Sequence, residues 1–205
     1  MSRRHWLPIG IHLASWLPLA WTVADALRGR LGYDPLEAAL QRTGRYALAF
    51  LLLSLLPTTL RLLLKWSGAM RVRRALGLYA FGYALLHAGL LIGVAYGANW
   101  GLLKQGVAQS PFILIGLAAL FVLLLLAITS TDRWVRRLGP RWRQLHRSTY
   151  LAGLLAVWHY AGSYKELRIA PILVGLLLVI QLGVRLVKSR RGTDASATQA
   201  SDPAP

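Results

Sequence analysis

The stretch "PFILIGLAALFVLLLLAITS", residues 111–130, contains no charged residue and decides the class of this protein. About 20 apolar residues in a row span the hydrocarbon core of a bilayer as a helix. Because the apolar residues are continuous rather than alternating, a membrane helix is predicted and a barrel strand is excluded. The whole chain has the same character, with 56% hydrophobic residues and a mean hydropathy of +0.47.

Five further apolar segments accompany this one. We predict membrane helices at 7–27, 45–64, 75–97, 111–130, 147–163 and 169–187. The predicted fold class is therefore all-α, a six-transmembrane-helix bundle. Residues 1–191 are predicted to form one transmembrane domain, and the polar residues 192–205 a disordered tail. Inspection of the sequence shows no convincing internal repeat.

The net charge of +17 is distributed unevenly between the two sides of the predicted bundle. Seventeen of the 24 Lys and Arg residues fall on the side that holds both termini. The positive-inside rule therefore predicts cytoplasmic N- and C-termini, and it accounts for the charge without a nucleic-acid partner. A cleaved signal peptide remains an alternative for the first segment, because Arg3 and Arg4 precede it and Ala24-Asp25-Ala26 resembles a cleavage site.

The composition limits which metal sites the chain can build. It has no cysteine, which excludes disulfides, iron–sulfur clusters and covalently attached c-type haem. Acidic residues are nearly absent from the apolar segments, so zinc and di-iron carboxylate sites lack ligands. Met1 and Met70 are the only methionines. Histidine is therefore the main candidate ligand.

Four histidines, His12, His87, His146 and His159, lie on predicted helices or at their edges. An ionisable residue inside a membrane helix is a functional-site hypothesis by default, because keeping it there is unfavourable. His146 and His159 are separated by about 19.5 Å along the fifth helix at 1.5 Å per residue, so they occupy different depths.

His87 follows Arg74 by the same thirteen residues on the third helix, which runs in the same direction as the fifth. His87 and His159 should therefore lie at one depth, which favours a haem held between two imidazoles. Arg74 and Arg147 are candidates for pairing with the propionates of a second haem near His146. Its other ligand is left open, with His12 as one candidate.

Two alternatives use no haem. Each imidazole could simply bond to a neighbouring helix, as intramembrane polar residues often do. The histidines could also form the proton relay of a membrane transporter.

Three stretches carry a resemblance to a known family: "IHLASWLPLAW" (11–21), "RRALGLYAFGYALLHAGLL" (73–91) and "RWRQLHRSTYLAGLLAVWHY" (141–160). Up to Arg191 the chain resembles the MsrQ (YedZ) family, haem-binding membrane subunits of the periplasmic methionine sulfoxide reductase system. The histidine spacing is also similar to that of the ferric reductase and NADPH oxidase transmembrane domain.

The resemblance implies a non-catalytic electron-transfer subunit of an oxidoreductase in the bacterial inner membrane. Electrons would come from the quinone pool or a cytoplasmic flavin reductase. They would pass through one or two b-type haems, and FMN, to the periplasmic molybdopterin subunit MsrP, which repairs methionine sulfoxide in periplasmic proteins. The implied iron ligands are His87, His159 and His146. Arg74 replaces the fourth histidine found in NADPH oxidases.

The segment after the sixth helix bears on the electron donor. Fewer than twenty residues follow it, too few for a flavin and nicotinamide domain like that of NADPH oxidases. We therefore expect electrons to arrive from another carrier. A ferric reductase or quinone-linked cytochrome that works without MsrP is a further alternative.

Overall fold

A computed structural model of the chain describes residues 3–65, 70, 72–164 and 169–201, with side chains described from residue 10 to residue 188. Within these residues the secondary structure is entirely helical, as predicted. The α-helices are α1 (Arg3–Leu27), α2 (Pro35–Leu64), α3 (Arg73–Gly89), α4 (Trp100–Gln109), α5 (Phe112–Ile128), α6 (Asp132–Leu138), α7 (Pro140–Leu145), α8 (Thr149–Gly162) and α9 (Ile169–Ser201).

Helix α2 begins ten residues before the predicted start at residue 45. Asp34 caps it by accepting a hydrogen bond from the backbone N–H of Glu37 at 2.9 Å, and Pro35 occupies the first turn, where its missing N–H is not needed. The helix ends at Lys65, which adopts the left-handed conformation typical of a helix terminus.

The other predicted segments also differ at their ends. The third continues through a π-helical turn, Leu90–Ala95, and the fifth begins at Thr149, after a 3₁₀ turn at His146–Ser148. Helix α4 was not predicted; Asn99 caps it, and its axis is bent by 112° from that of α5. The backbone of α9 remains helical to Ser201, whereas the polar composition from residue 192 predicts disorder; residues 202–205 lie outside the described part.

The helices include long apolar ones that suit a membrane. Three are long and apolar enough to cross it, Pro35–Leu64, Arg73–Ala95 and Ile169–Lys188, and a fourth is added if the bent pair of α4 and α5 counts as one span. Large apolar side chains such as Trp21, Phe121 and Ile180 are more than half exposed. Such exposure is unfavourable in water and ordinary against lipid tails.

Two helix pairs form the centre of the bundle. Helix α2 packs most extensively on α3, which we term the first pair, and α5 on α8, the second pair. Small buried residues, Ala80 on α3 and Ala152 on α8, allow neighbouring helices to approach closely, while Leu51 and Leu55 of α2 fill the space between them.

Helix α1 is fixed to this centre by polar contacts. Tyr83 of α3 donates a hydrogen bond to the carbonyl of Ser15 at 2.7 Å. Near the other end of α1, Arg42 pairs with the largely buried carboxylate of Asp25 at 2.6 Å. A polar group in an apolar environment is unfavourable without a hydrogen-bond partner. The two contacts therefore stabilise the packing of α1 at two points along its length.

Candidate functional site

The imidazoles of His87 and His159 face each other across the two pairs, as their equal depth predicts. Their ring centroids lie 6.1 Å apart and their planes are inclined by 76°. Two imidazoles that bind one metal ion from opposite sides have centroids about 6 Å apart, because each metal–nitrogen bond is about 2 Å long. The spacing of the two rings therefore suits a shared metal between them.

Each of the two imidazoles is oriented by a backbone carbonyl. His87 donates from Nδ1 to the carbonyl of Leu40 at 2.9 Å, and His159 donates from Nδ1 to the carbonyl of Phe112 at 2.8 Å. A carbonyl oxygen only accepts, so Nδ1 carries the proton in both rings. The unprotonated Nε2 is then available to a metal. A hydrogen bond from the other ring nitrogen to a carbonyl is the usual arrangement of a metal-binding histidine.

Two glycines make room for the rings. A Cβ atom at Gly44 would lie 3.2 Å from Cε1 and Nδ1 of His87, and one at Gly116 would lie 2.7 Å from the same atoms of His159. The second distance is shorter than real Cβ contacts allow. Glycine at these two positions lets each imidazole rest directly on the neighbouring helix, one turn after the residue whose carbonyl it bonds.

These contacts reveal an internal repeat, so the expectation that the chain has none was wrong. Both hydrogen bonds join residues that are 47 positions apart. The carbonyl residue, the glycine and the histidine of the second helix pair each follow their counterparts in the first by 72 residues. The same offset relates Ala80 to Ala152, both 0% exposed, and Arg74 to His146. The repeat is inconspicuous in the sequence because most of the other positions at this offset differ.

A large space, here called the histidine-pair cavity, adjoins both rings and has a volume of about 690 Å³. Most of its lining is apolar and comes from both helix pairs, while its polar lining includes Glu37, Gln41 and Arg45 of α2. Among the described residues no cluster of three or more His, Cys, Asp or Glu forms a site made of protein ligands alone. Two imidazoles beside a large apolar cavity suit a macrocycle that supplies its own metal ligands.

Comparison with known proteins agrees with this geometry. Residues 43–157 match the family model described as "Ferric reductase like transmembrane component". The chain is 41% identical to the protein-methionine-sulfoxide reductase heme-binding subunit MsrQ of Rhodospirillum rubrum, over 89% of this chain and 88% of that protein. It is 40% identical to the protein of the same name from Deinococcus radiodurans, over 95% of this chain and 96% of that protein.

The chain belongs to the MsrQ family. Its match to the ferric reductase model runs from residue 43 in α2 to residue 157 in α8, so it includes His87 and ends two residues before His159. The sequence resemblance to the MsrQ family is therefore confirmed over nearly the whole chain.

A second space in this MsrQ family member, the arginine-rich cavity, has a volume of about 340 Å³. It brings together the other predicted site residues, Arg74, His146 and Arg147, together with Arg73 and Arg143. Arg74 pairs with the exposed carboxylate of Asp132 at 2.6 Å. The structure thus brings Arg74 and Arg147 to the same cavity as His146, and this cavity has about half the volume of the other.

His146 is held differently from the facing pair. Its Nε2 lies 3.2 Å from Oγ1 of Thr129, which itself donates to the carbonyl of Leu125 at 2.7 Å. The hydroxyl proton is thereby engaged, so Nε2 of His146 is the donor and Nδ1 carries the lone pair. Trp142 stacks on the ring at 3.9 Å.

His12 lies elsewhere. Its Nδ1 is 3.0 Å from the hydroxyl of Tyr79, its side chain is exposed, and it lines neither of the two cavities. The structure therefore does not bring this candidate ligand to His146.

Sequence reasoning missed the glycines beneath the rings, the two carbonyls and the polar stripe of α2. One signal was available for the glycines, since Gly44 and Gly116 precede the two histidines by the same 43 residues. Met70 of the arginine-rich cavity was noted only as a scarce ligand type.

Proposed function

We propose that the chain is a b-type cytochrome subunit of the bacterial inner membrane that passes electrons to the periplasmic subunit MsrP for the repair of methionine sulfoxide. In this proposal His87 and His159 would ligate the iron of a haem in the histidine-pair cavity. The observation that carries it is the facing of two imidazoles with their Nδ1 atoms bonded to carbonyls and Nε2 unprotonated. The names of the relatives, heme-binding subunits of a methionine sulfoxide reductase, support it.

The haem supplies one-electron chemistry when it is bound. The chain contributes the fixed position of the two ligands, because each ring is held by a carbonyl and rests on a glycine backbone. The apolar lining of the cavity excludes water and so favours the less charged oxidation state of the iron.

The topology that we propose has six membrane helices and cytoplasmic termini. Three spans are the long apolar helices, and the other three are α1, α5 and the 3₁₀ turn together with α8. The positive-inside rule makes the side with the basic residues of the arginine-rich cavity cytoplasmic. The histidine-pair cavity is then nearer the periplasm, where MsrP works.

The arginine-rich cavity is proposed as the entry point for electrons from a quinone or a cytoplasmic flavin reductase. Its guanidinium groups suit the carboxylates of a second haem or the phosphate of FMN. A second haem would take His146 as a ligand, which requires Nε2 to leave Thr129.

The first test is optical. A reduced-minus-oxidised spectrum and a pyridine haemochrome count of the purified chain should show b-type haem, and His87→Ala or His159→Ala should remove or shift the signal of one haem per chain. His12→Ala is the matched control and should leave the spectrum unchanged, because His12 contacts Tyr79 outside the cavity. Unchanged haem in both cavity variants would refute the assignment. Colourless protein from haem-replete cells would favour the proton relay.

The second test addresses the partner. Under anaerobic conditions, reduced haem in the purified chain should be fully reoxidised when a catalytic amount of MsrP and an excess of methionine sulfoxide substrate are added together. The sulfoxide alone should leave it reduced, and the same amount of MsrP alone should reoxidise at most a matching small fraction. Reoxidation that needs no MsrP would contradict the proposed electron path and favour a ferric reductase or quinone-linked cytochrome.

A further inference from the structure

Charged and amide groups line the histidine-pair cavity from one helix. Glu37, Gln41 and Arg45 follow one another at four-residue intervals on α2, so they form a single stripe along its face. The equivalent of Arg45 in the second pair is Leu117, which lines the same cavity. The two histidines therefore occupy equivalent positions in the repeat, whereas the charged side chains of the cavity come from the first pair alone.

Hydrogen bonds fix the direction of this stripe. Gln41 donates from Nε2 to the carboxylate of Glu37 at 2.8 Å, which leaves its Oε1 directed at Arg45. Arg45 donates from Nη2 to that oxygen at 2.6 Å. A guanidinium has five N–H donors, so one bond anchors the group and the others remain available.

No ion pair engages Arg45 among the described residues, where the two found are Arg42–Asp25 and Arg74–Asp132. It is also the only Lys or Arg among the described residues that line the cavity. A carboxylate that enters an apolar cavity is strongly unfavourable without a counter-charge, and a guanidinium binds it through paired hydrogen bonds.

We infer that Arg45 pairs with the carboxylates of the porphyrin held by His87 and His159 and so fixes the edge of the ring that faces α2. The inference rests on the proposed function, since it needs a haem in this cavity. What the inference adds is the rotational orientation of the porphyrin within its own plane. The two imidazoles do not determine this orientation, because they bind above and below the ring plane.

The test compares haem with its dimethyl ester, which has the same ring without carboxylate charge. Full-length protein from cells starved of haem is titrated with each porphyrin and followed by the Soret band. Wild type should bind haem about tenfold more tightly than the ester, the value of one hydrogen bond between charged groups. For the histidine-pair cavity, whose signal is the part that His159→Ala removes, Arg45→Met should bring this ratio close to one, and Arg45→Lys should restore part of it.

Arg61→Met is the matched control, because Arg61 is exposed on the same helix and lines neither cavity. It should discriminate like wild type. If Arg45→Met is not recovered folded, Arg45→Gln, which keeps a polar side chain without the charge, replaces it. A wild-type ratio in the neutral Arg45 variants would overturn the inference. Failure of the wild type to bind either porphyrin would instead count against the proposed function.

Discussion

The first and second helix pairs hold His87 and His159 by the same kinds of contact. They differ at the position thirteen residues before each histidine, which is Arg74 in the first half and His146 in the second. Each pair supplies a carbonyl and a glycine to its imidazole, and a fully buried alanine lies seven residues before each histidine. At the other level the first pair has a guanidinium tied to Asp132, and the second an imidazole tied to Thr129.

The comparison shows that one backbone arrangement builds both a symmetric site and an asymmetric one. Symmetry is retained where both rings must reach one centre, since the contacts there involve backbone atoms and small residues. It is lost where the first pair has a guanidinium in place of an imidazole, and a guanidinium cannot ligate a metal because it remains protonated in proteins.

The largest expected effect separates the two glycines. Gly116→Ala should abolish most haem binding at the histidine pair, because the new Cβ would lie 2.7 Å from the ring of His159 and would force the imidazole out of its position. Gly44→Ala, at 3.2 Å from His87, should retain part of it. Haem per chain measures both. Gly82→Ala, with open space around its Cβ, is the control, and equal loss in all three would break the comparison.

The next effect concerns packing rather than ligands. Ala80→Val and Ala152→Val should each destabilise the protein by about 1–3 kcal/mol, the usual effect of overpacking a close helix contact. Thermal unfolding in detergent, compared with that of the exposed control Ala118→Val, measures the change. If only one of the two variants is destabilised, the repeat does not extend to the helix interfaces.

A smaller, spectroscopic effect should follow when the asymmetric level is made symmetric. Arg74→His places two imidazoles at equivalent positions, so we expect a larger share of low-spin, two-imidazole haem in the electron paramagnetic resonance spectrum. Arg74→Gln, which also breaks the bond to Asp132, is the control. Identical spectra for the two variants would show that residues 74 and 146 do not face a common centre.

The smallest effect is expected for the ion pair itself. Asp132→Asn should leave haem content unchanged and shift the thermal midpoint only slightly, because the carboxylate is exposed to solvent. The hydrogen bond from Arg74 lowers the pKa of Asp132, so its contribution is complete at neutral pH and is lost as the pH falls through that lowered pKa. A large shift at pH 7 would show that the pair anchors the arginine-rich cavity.

The sequence was sufficient to predict that His87 and His159 face each other, because depth follows from residue count along helices that run in one direction. It did not predict which neighbouring atoms hold the rings. That depends on the rotation of each helix about its axis, which hydropathy does not determine.

The start of α2 was predicted too late, because Glu37, Arg42 and Arg45 lower the hydropathy of its first turns. Asp34 followed by Pro35 is a helix-start signal that would have corrected the boundary. Helix α4 was missed for a related reason, since it is short, although Asn99 is a recognisable cap.

The π-helical turn at Leu90–Ala95 has a consequence for how the chain tolerates changes in length. A π turn contains one more residue than the α-helical turn it replaces, so the chain beyond it is out of phase with the chain before it. Deleting one residue there would restore regular winding and rotate Tyr96, which lines the histidine-pair cavity, by about 100° while His87 stayed in place. The wall of the cavity is thus adjustable by a single insertion or deletion that never touches the ligand.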